Sequence, residues 1–393
     1  MSGNILAPMS DSTLHTSSDR LPLKAALPFW LSLFMIPLVL SAALVGGIWV
    51  VVPIIAAWGV FATLDAALGL DANNLDPQTK DSALYWHRMI TLIWPPLQFL
   101  MIFGLIWYIP RVDHLNPLEI YLVTVGMGVL SGSVGIVYAH ELMHQRNRLE
   151  RWLGDILMCM ALYGHFRSEH LLVHHRHVGT PRDPVTARYN ESFWRFYPRV
   201  LKGCLLSSFR AERDMLARKT LPWWHASNPF WRYWGLQTAF LLLAFGLGGW
   251  LGVLIFVLQA VSAIFQLEVV NYVEHYGLTR KYLGDGKYEH VKPRHSWNAS
   301  HKASNWLMIN LQRHSDHHFK PDRRFPLLQT YAREDAPQLP YGYPALTTLA
   351  MVPPLWRRFM DPKVRAWRRQ FYPDIEDWSP YDRHATPWPK GAA

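Results

Sequence analysis

Histidine carries most of the chemistry that can be read from this chain, and its 19 copies gather into short clusters. His140-Glu141-Leu142-Met143-His144 sets two imidazoles at i and i+4, on one face of a helix. Glu169 leads into His170, His174 and His175, spaced i, i+4, i+5. His314, His317 and His318 are spaced i, i+3, i+4, and His275 stands alone in Asn271-Tyr272-Val273-Glu274-His275-Tyr276-Gly277. These nine rings are the candidate metal ligands. Neutral imidazoles suit iron, zinc or copper. With Cys159 and Cys204 as the only cysteines, a disulfide scaffold, a four-thiolate site and an iron–sulfur cluster are excluded. A single zinc takes three or four protein ligands, so nine candidates point to two metals.

Two divalent cations among neutral rings leave about +4 of charge, which is costly beside hydrocarbon. Glu141, Glu169, Glu274 and Asp316 adjoin the ligands, and Asp183 follows the second cluster in Thr180-Pro181-Arg182-Asp183-Pro184. Such carboxylates accept the free ring N–H, fix the tautomer and offset charge. Taken singly, each is an ordinary surface or capping carboxylate, and one H-x-x-x-H is two satisfied polar residues. The argument rests on three clusters and His275 together. His165 and His177 are alternates, while His290, His295 and His301 read as structural or surface residues. His140-Glu141-x-x-His144 also fits the zinc metalloprotease pattern, with the glutamate as general base. That reading leaves the clusters at 170–175 and 314–318 without a role.

Elements must hold these rings, and the composition says which. Of 393 residues, 50% are apolar and 17% charged, against about 25% charged in soluble domains. Charge-free runs lie at 25–64, 89–110, 120–140 and 233–267. At about 20 residues per crossing they hold six spans, near 27–46, 48–64, 89–110, 120–140, 233–247 and 250–267. Turns are expected at Gly46-Gly47 and Gly246 to Gly249, and a kink at Pro95-Pro96. Of 39 Lys and Arg residues, 15 fall in 140–232 and 19 in 268–393. Alternating spans put both segments on one side, and basic excess makes that side cytoplasmic, with both termini. The +10 net charge then reflects topology and anionic lipid rather than nucleic acid. The expected fold is all-α: an integral membrane protein of six transmembrane helices under a cytoplasmic histidine-rich cap that holds a dinuclear metal site. Residues 1–24 form a flexible cytoplasmic N-terminus, 25–365 a single membrane-embedded catalytic domain, and 366–393 an irregular tail, within a stretch from 335 that reads as an irregular wrap.

The pattern resembles the histidine-box superfamily of membrane desaturases and hydroxylases, and more closely the bacterial integral-membrane alkane hydroxylases. The likeness lies in His140-Glu141-Leu142-Met143-His144, in Tyr163-Gly164-His165-Phe166-Arg167-Ser168-Glu169-His170 leading to His174-His175, in the Asn271 to Gly277 element, and in Leu311-Gln312-Arg313-His314-Ser315-Asp316-His317-His318. It extends from about residue 30 to about 365. The resemblance implies a six-helix fold in the bacterial inner membrane and a non-haem diiron centre, two Fe ions on the nine histidines. It implies O2-dependent terminal hydroxylation of medium-chain alkanes. Xylene side-chain monooxygenases share much of the pattern, and a lipid desaturase is a further relative of the same chemistry.

A saturated C–H bond offers no acid, base or electrophile, so the chemistry falls to a redox metal and O2. An alkane dissolves in the bilayer, and a channel between the spans would lead it to metal at their cytoplasmic ends. Burial of about 0.8 kcal/mol per methylene holds a chain but fixes its end poorly, so channel depth must select the terminal carbon. Trp58 and Phe61 are candidates to set that depth, with lipid-facing or core packing as the plainer reading of each. The chain has no dinucleotide or flavin fingerprint, so electrons come from outside. The resemblance implies rubredoxin and an NAD(P)H-dependent rubredoxin reductase. The two polar segments hold 34 basic against 21 acidic residues, which favours an acidic carrier.

Overall fold

The computed structural model describes residues 20–382. Four long helices come first: α1 (Leu23–Val45), α2 (Gly47–Leu68), α3 (Asp81–Arg111) and α4 (Pro117–Met143). Then come α5 (Arg148–Met160), α6 (residues 166–177), α7 (Phe193–Ala217) and the 46-residue α8 (Phe230–His275). Three helices of the later chain matter to the site: α9 (His314–Phe319), α10 (Tyr343–Ala350) and α11 (Pro353–Phe371). Among the described residues the only sheet is a two-stranded hairpin, Tyr282–Gly284 with Lys287–Tyr288. The all-helical class stands. Five helices, α1 to α4 and α8, are long and apolar enough to cross a membrane.

The fifth of these doubles back on itself. Gly249, at φ 59 and ψ −150, breaks the helical path of α8. Phe240 and Phe256 both pack on Phe103, with centroids 5.6 and 5.5 Å away. Sixteen residues of straight helix would hold those two rings about 24 Å apart. The turn between α1 and α2 uses Gly46 and Gly47 at φ 69 and 56, where an L side chain is strained. Glu119 ties this turn to the start of α4: its Oε1 accepts from Gly47 N at 2.7 Å and its Oε2 from Asn116 N at 2.8 Å. Pro95 and Pro96 lie within an unbroken helix, Tyr85–Tyr108, so the expected kink is no interruption.

Helices α4 and α8 approach without a side-chain layer between them. A Cβ on Gly128 would lie 2.5 Å from the Gln259 carbonyl oxygen, and one on Gly132 2.7 Å from that of Ala263. Small residues allow such contact between membrane helices. The far ends of α4 and α8 carry His140 and His275. The cap closes over these ends. Asp65 at the end of α2 accepts from Ser304 N at 2.8 Å, and Asp155 of α5 pairs with Arg167 and Arg232 at 2.8 and 2.9 Å.

Two boundaries differ from the sequence reading. Helix α8 continues to His275 rather than ending near 267, because Glu268 and Glu274 are buried in the cap instead of marking a solvent edge. The stretch from 335 is not irregular throughout, and the boundary at 366 falls inside α11. Trp356, Met360, Val364 and Trp367 form one buried stripe at helical spacing, and Pro353-Pro354 open the helix where no N–H partner is needed. Residues 1–19, which hold most of the N-terminus expected to be flexible, and 383–393 lie outside the described residues.

Candidate metal centre

All nine histidines converge. His140, His144, His170 and His317 form one group, and His174, His275, His314 and His318 a second, with ligand atoms in each group within 4.8 Å of one another. His175 joins the first group: its Nε2 lies 2.9 Å from His170 Nε2 and 3.0 Å from His317 Nε2. Local backbone explains the partition. Residues His170–His174 make a π-turn in which the His175 N–H bonds the His170 carbonyl, so residues five apart share a face. His174 is thereby turned toward the second group. On α9, His314 and His318 are one turn apart with Nε2 atoms 3.0 Å apart, while His317 points to the first group.

The nitrogen geometry fits metal ions. Nε2 atoms face one another at 3.0 Å (His144 and His170) and 3.2 Å (His275 and His314). Neutral rings share at most one proton per pair, so a ring of mutually facing nitrogens is not satisfied by hydrogen bonds alone. Separations near 3 Å are the edges of a coordination polyhedron with bonds of about 2.1 Å. Burial pushes His144 down to about 3 and holds His170, His175, His314, His317 and His318 well below the usual imidazole range, with neighbouring rings adding to the effect. The rings are therefore neutral and ready to coordinate at neutral pH.

The five carboxylates take different places. Asp183 Oδ2 lies 3.0 Å from His174 Nδ1 and 2.6 Å from Thr186 Oγ1, which orients that ring. Burial alone would raise the Asp183 carboxyl, but His174, the Thr186 hydroxyl and the Val185 N–H hold it below the usual carboxylate range. Glu274 Oε2 sits 3.3 Å from His314 Nε2, on the nitrogen that faces the group. Glu169 is fully buried, and neither oxygen has a hydrogen-bond partner among the described residues. Glu141 instead accepts from Gln145 Nε2 and Phe325 N, at 3.0 and 3.2 Å. Asp316 accepts from Arg323, Tyr331 and Gln329. These two fasten the 320–331 segment over the rings rather than contacting them. Glu141 is thus turned away from the place a protease's general base would occupy.

The other five candidate histidines lie elsewhere. His165 packs on Tyr163 at 4.5 Å, and His295 bonds Tyr372 and Lys292 N. His177 and His301 join neither group, and His290 is exposed.

An apolar cavity opens beside the rings, lined by Trp58, Ile136, Phe166, Leu267, Val270 and Met308 together with His140, His170 and His314. Trp58 is among the lining residues. Phe61 is not, and is buried in the general core. Tyr343 and Pro344 of α10 also reach the cavity, from a segment whose sequence gave no such signal. Gln266 reaches it too, and a polar side chain within a charge-free span could have been singled out.

Helices long and apolar enough to cross a membrane, ending in two convergent histidine groups that could each hold a metal ion, define the histidine-cluster class of protein. Comparison with known proteins narrows this. Residues 117–350 match the fatty acid desaturase family. Alkane 1-monooxygenase 2 of Pseudomonas aeruginosa is 39% identical over 81% of this chain and 84% of its own. Alkane 1-monooxygenase of Pseudomonas putida is 33% identical over 80% and 78%. The xylene/toluene monooxygenase hydroxylase component XylM of Pseudomonas putida is 27% identical over 86% and 90%. The chain belongs to the fatty acid desaturase family, on its alkane 1-monooxygenase branch.

Proposed function

We propose that this chain hydroxylates the terminal methyl of medium-chain n-alkanes at two iron ions held by the nine histidines. His140, His144, His170, His175 and His317 would hold one ion, and His174, His275, His314 and His318 the other. The observation that carries the reading is the meeting of both histidine groups with an apolar cavity. Iron bound there, with O2 and two electrons, supplies the oxidising power that a saturated C–H bond requires. Overall, alkane, O2, two electrons and two protons give 1-alkanol and water.

The protein's part is position and dryness. Asp183 holds the His174 ring in register. Glu274 offsets cation charge from the cavity side. Trp58, Phe166 and Leu267 exclude water and line the path of the chain from the bilayer, with Trp58 set to limit its depth.

The finer topology belongs to the same reading. Two crossings by α8 make six spans, with both termini and the cap in the cytoplasm of a bacterial inner membrane. Electrons would arrive from rubredoxin and its NAD(P)H-dependent reductase, drawn by the basic excess of the cap. The likeness to XylM favours alkyl-aromatic side chains as the second reading of the substrate, and product analysis on n-octane and xylene separates the two.

Metal analysis of the detergent-purified protein beside His314→Ala tests the site. Close to two irons per chain, falling in the variant, is the expected result. One zinc and no iron would overturn the proposal.

A further inference from the structure

Three glutamines are buried in the apolar helices. Two have plain structural partners: Gln98 accepts from Trp94 Nε1 at 2.7 Å, and Gln259 donates to the Met160 carbonyl at 2.8 Å. The third, Gln266, is 6% exposed and accepts at 3.1 Å from Trp58 Nε1, across from α8 to α2. Of the three, it alone lines the cavity, as Trp58 does.

Both partners are held by unusual backbone. Trp58 lies in a π-turn, Ala56–Val60, and the facing wall is a second π-turn, Ser131–Ile136. An added residue per turn offsets a helix face, which swings Trp58 toward the cavity. Gly132 of the second turn meets Gln266 so closely that a Cβ there would lie 2.5 Å from Gln266 Cβ. The glutamine stem therefore cannot lean toward α4. Its carboxamide extends toward Trp58. Along α8, nine residues separate Gln266 from His275, about 13 Å of helix. The Trp58–Gln266 pair stands at the end of the cavity away from the second histidine group.

We infer that Gln266 is a specificity-determining positioning residue: by pinning the Trp58 indole across the cavity it sets the longest alkane that fits. The inference rests on the alkane reading above and adds a residue to it. A buried amide in a membrane helix is costly unless bonded, so loss of either partner frees the other to move. Once released, the indole no longer closes the cavity, and longer chains reach the histidines with the same terminal carbon.

The test uses the full iron-loaded chain in liposomes, offered n-alkanes from hexane to hexadecane, with retention of the same alkanes by the metal-free protein as a second readout. Gln266→Leu removes the acceptor. Trp58→Phe keeps an aromatic ring and removes the donor. Each is expected to raise turnover and retention of the longest alkanes relative to octane by roughly 3- to 10-fold, the worth of one hydrogen bond. The double variant should shift no further than either single one, because both cut the same link. Gln98→Leu, away from the cavity, should leave the ratio unchanged. An unaltered chain-length profile in Gln266→Leu, or shifts that add in the double variant, would overturn the inference. Should Gln266→Leu fail to accumulate, Gln266→Met, which keeps the length of the side chain and removes the acceptor, decides it with the same readouts. A wild-type protein that retains alkanes but hydroxylates none defeats the parent reading instead, and the retention profiles still report on the link.

Discussion

Nine imidazoles share one centre but not one backing. His174 has a carboxylate behind it in Asp183, whereas His175, His275 and His318 have Nδ1 atoms that are buried and unbonded among the described residues. Without metal, nothing rewards the burial of these rings. That gives the metal-free protein a defined response to acid. Six rings outside the spans, at 144, 170, 175, 314, 317 and 318, are held below the usual imidazole range by burial. In the unfolded chain they take up protons below about pH 6.5, while the folded chain resists. The unfolded state then binds more protons, so stability falls as pH falls, by up to about 1.4 kcal/mol per ring for each pH unit. Thermal unfolding of the chelated protein should be flat above about pH 7.5 and drop steeply toward pH 5, and an unchanged Tm at pH 5 would refute it. The nine residues themselves are legible from spacing. Their division is not, because His174 and His175 part company only through a π-turn that periodicity does not reveal. Nor does adjacency say which way a carboxylate faces, as Glu141 and Asp316 illustrate.

At the scale of elements, the close contact of α4 with α8 is what brings His140 and His275 into one centre. Gly132 is the close contact next to the cavity, since Gln266 Cβ and the Ala263 carbonyl oxygen, 2.5 and 2.7 Å from an added Cβ, leave no room for a methyl. Gly132→Ala must part the helices or distort the π-turn, at about 1–3 kcal/mol. We expect a lower yield of folded protein and reduced iron per chain, read by elemental analysis. Gly235→Ala, on the same α8 but facing open space, should change neither. Equal metal content in the two variants would show that the helix contact does not hold the rings. The long helices were visible as charge-free runs because lipid exposure excludes charge. Helix α11 was not, because Arg357, Arg358, Lys363, Arg365, Arg368 and Arg369 dominate its composition and hide the four-residue apolar stripe beneath. Pro362 inside it weakens the signal further.

For the whole molecule, the number of crossings decides whether the centre can exist. Arg232, at the start of α8, pairs with Asp155 of the cap at 2.9 Å, and His275, at its end, meets His314 at 3.2 Å. Both ends of this 46-residue helix thus stand at the same cap, as the reversal at Gly249 requires. A single crossing would leave the 314–318 histidines on the opposite membrane face from His140 and His144, and one group of rings could not include both His140 and His317. Cysteine labelling tests the resulting topology with little background, because Cys159 and Cys204 are both fully buried. Asp113 lies in the loop before α4, Arg146 follows His144, and Arg333 lies beyond α9; all three are exposed. Single substitutions Asp113→Cys, Arg146→Cys and Arg333→Cys, treated in intact cells with a membrane-impermeant maleimide, should label at 113 alone. Labelling at both 113 and 333 would mean that α8 crosses once. The hairpin at Gly249 and the joint centre built on it would then both be wrong.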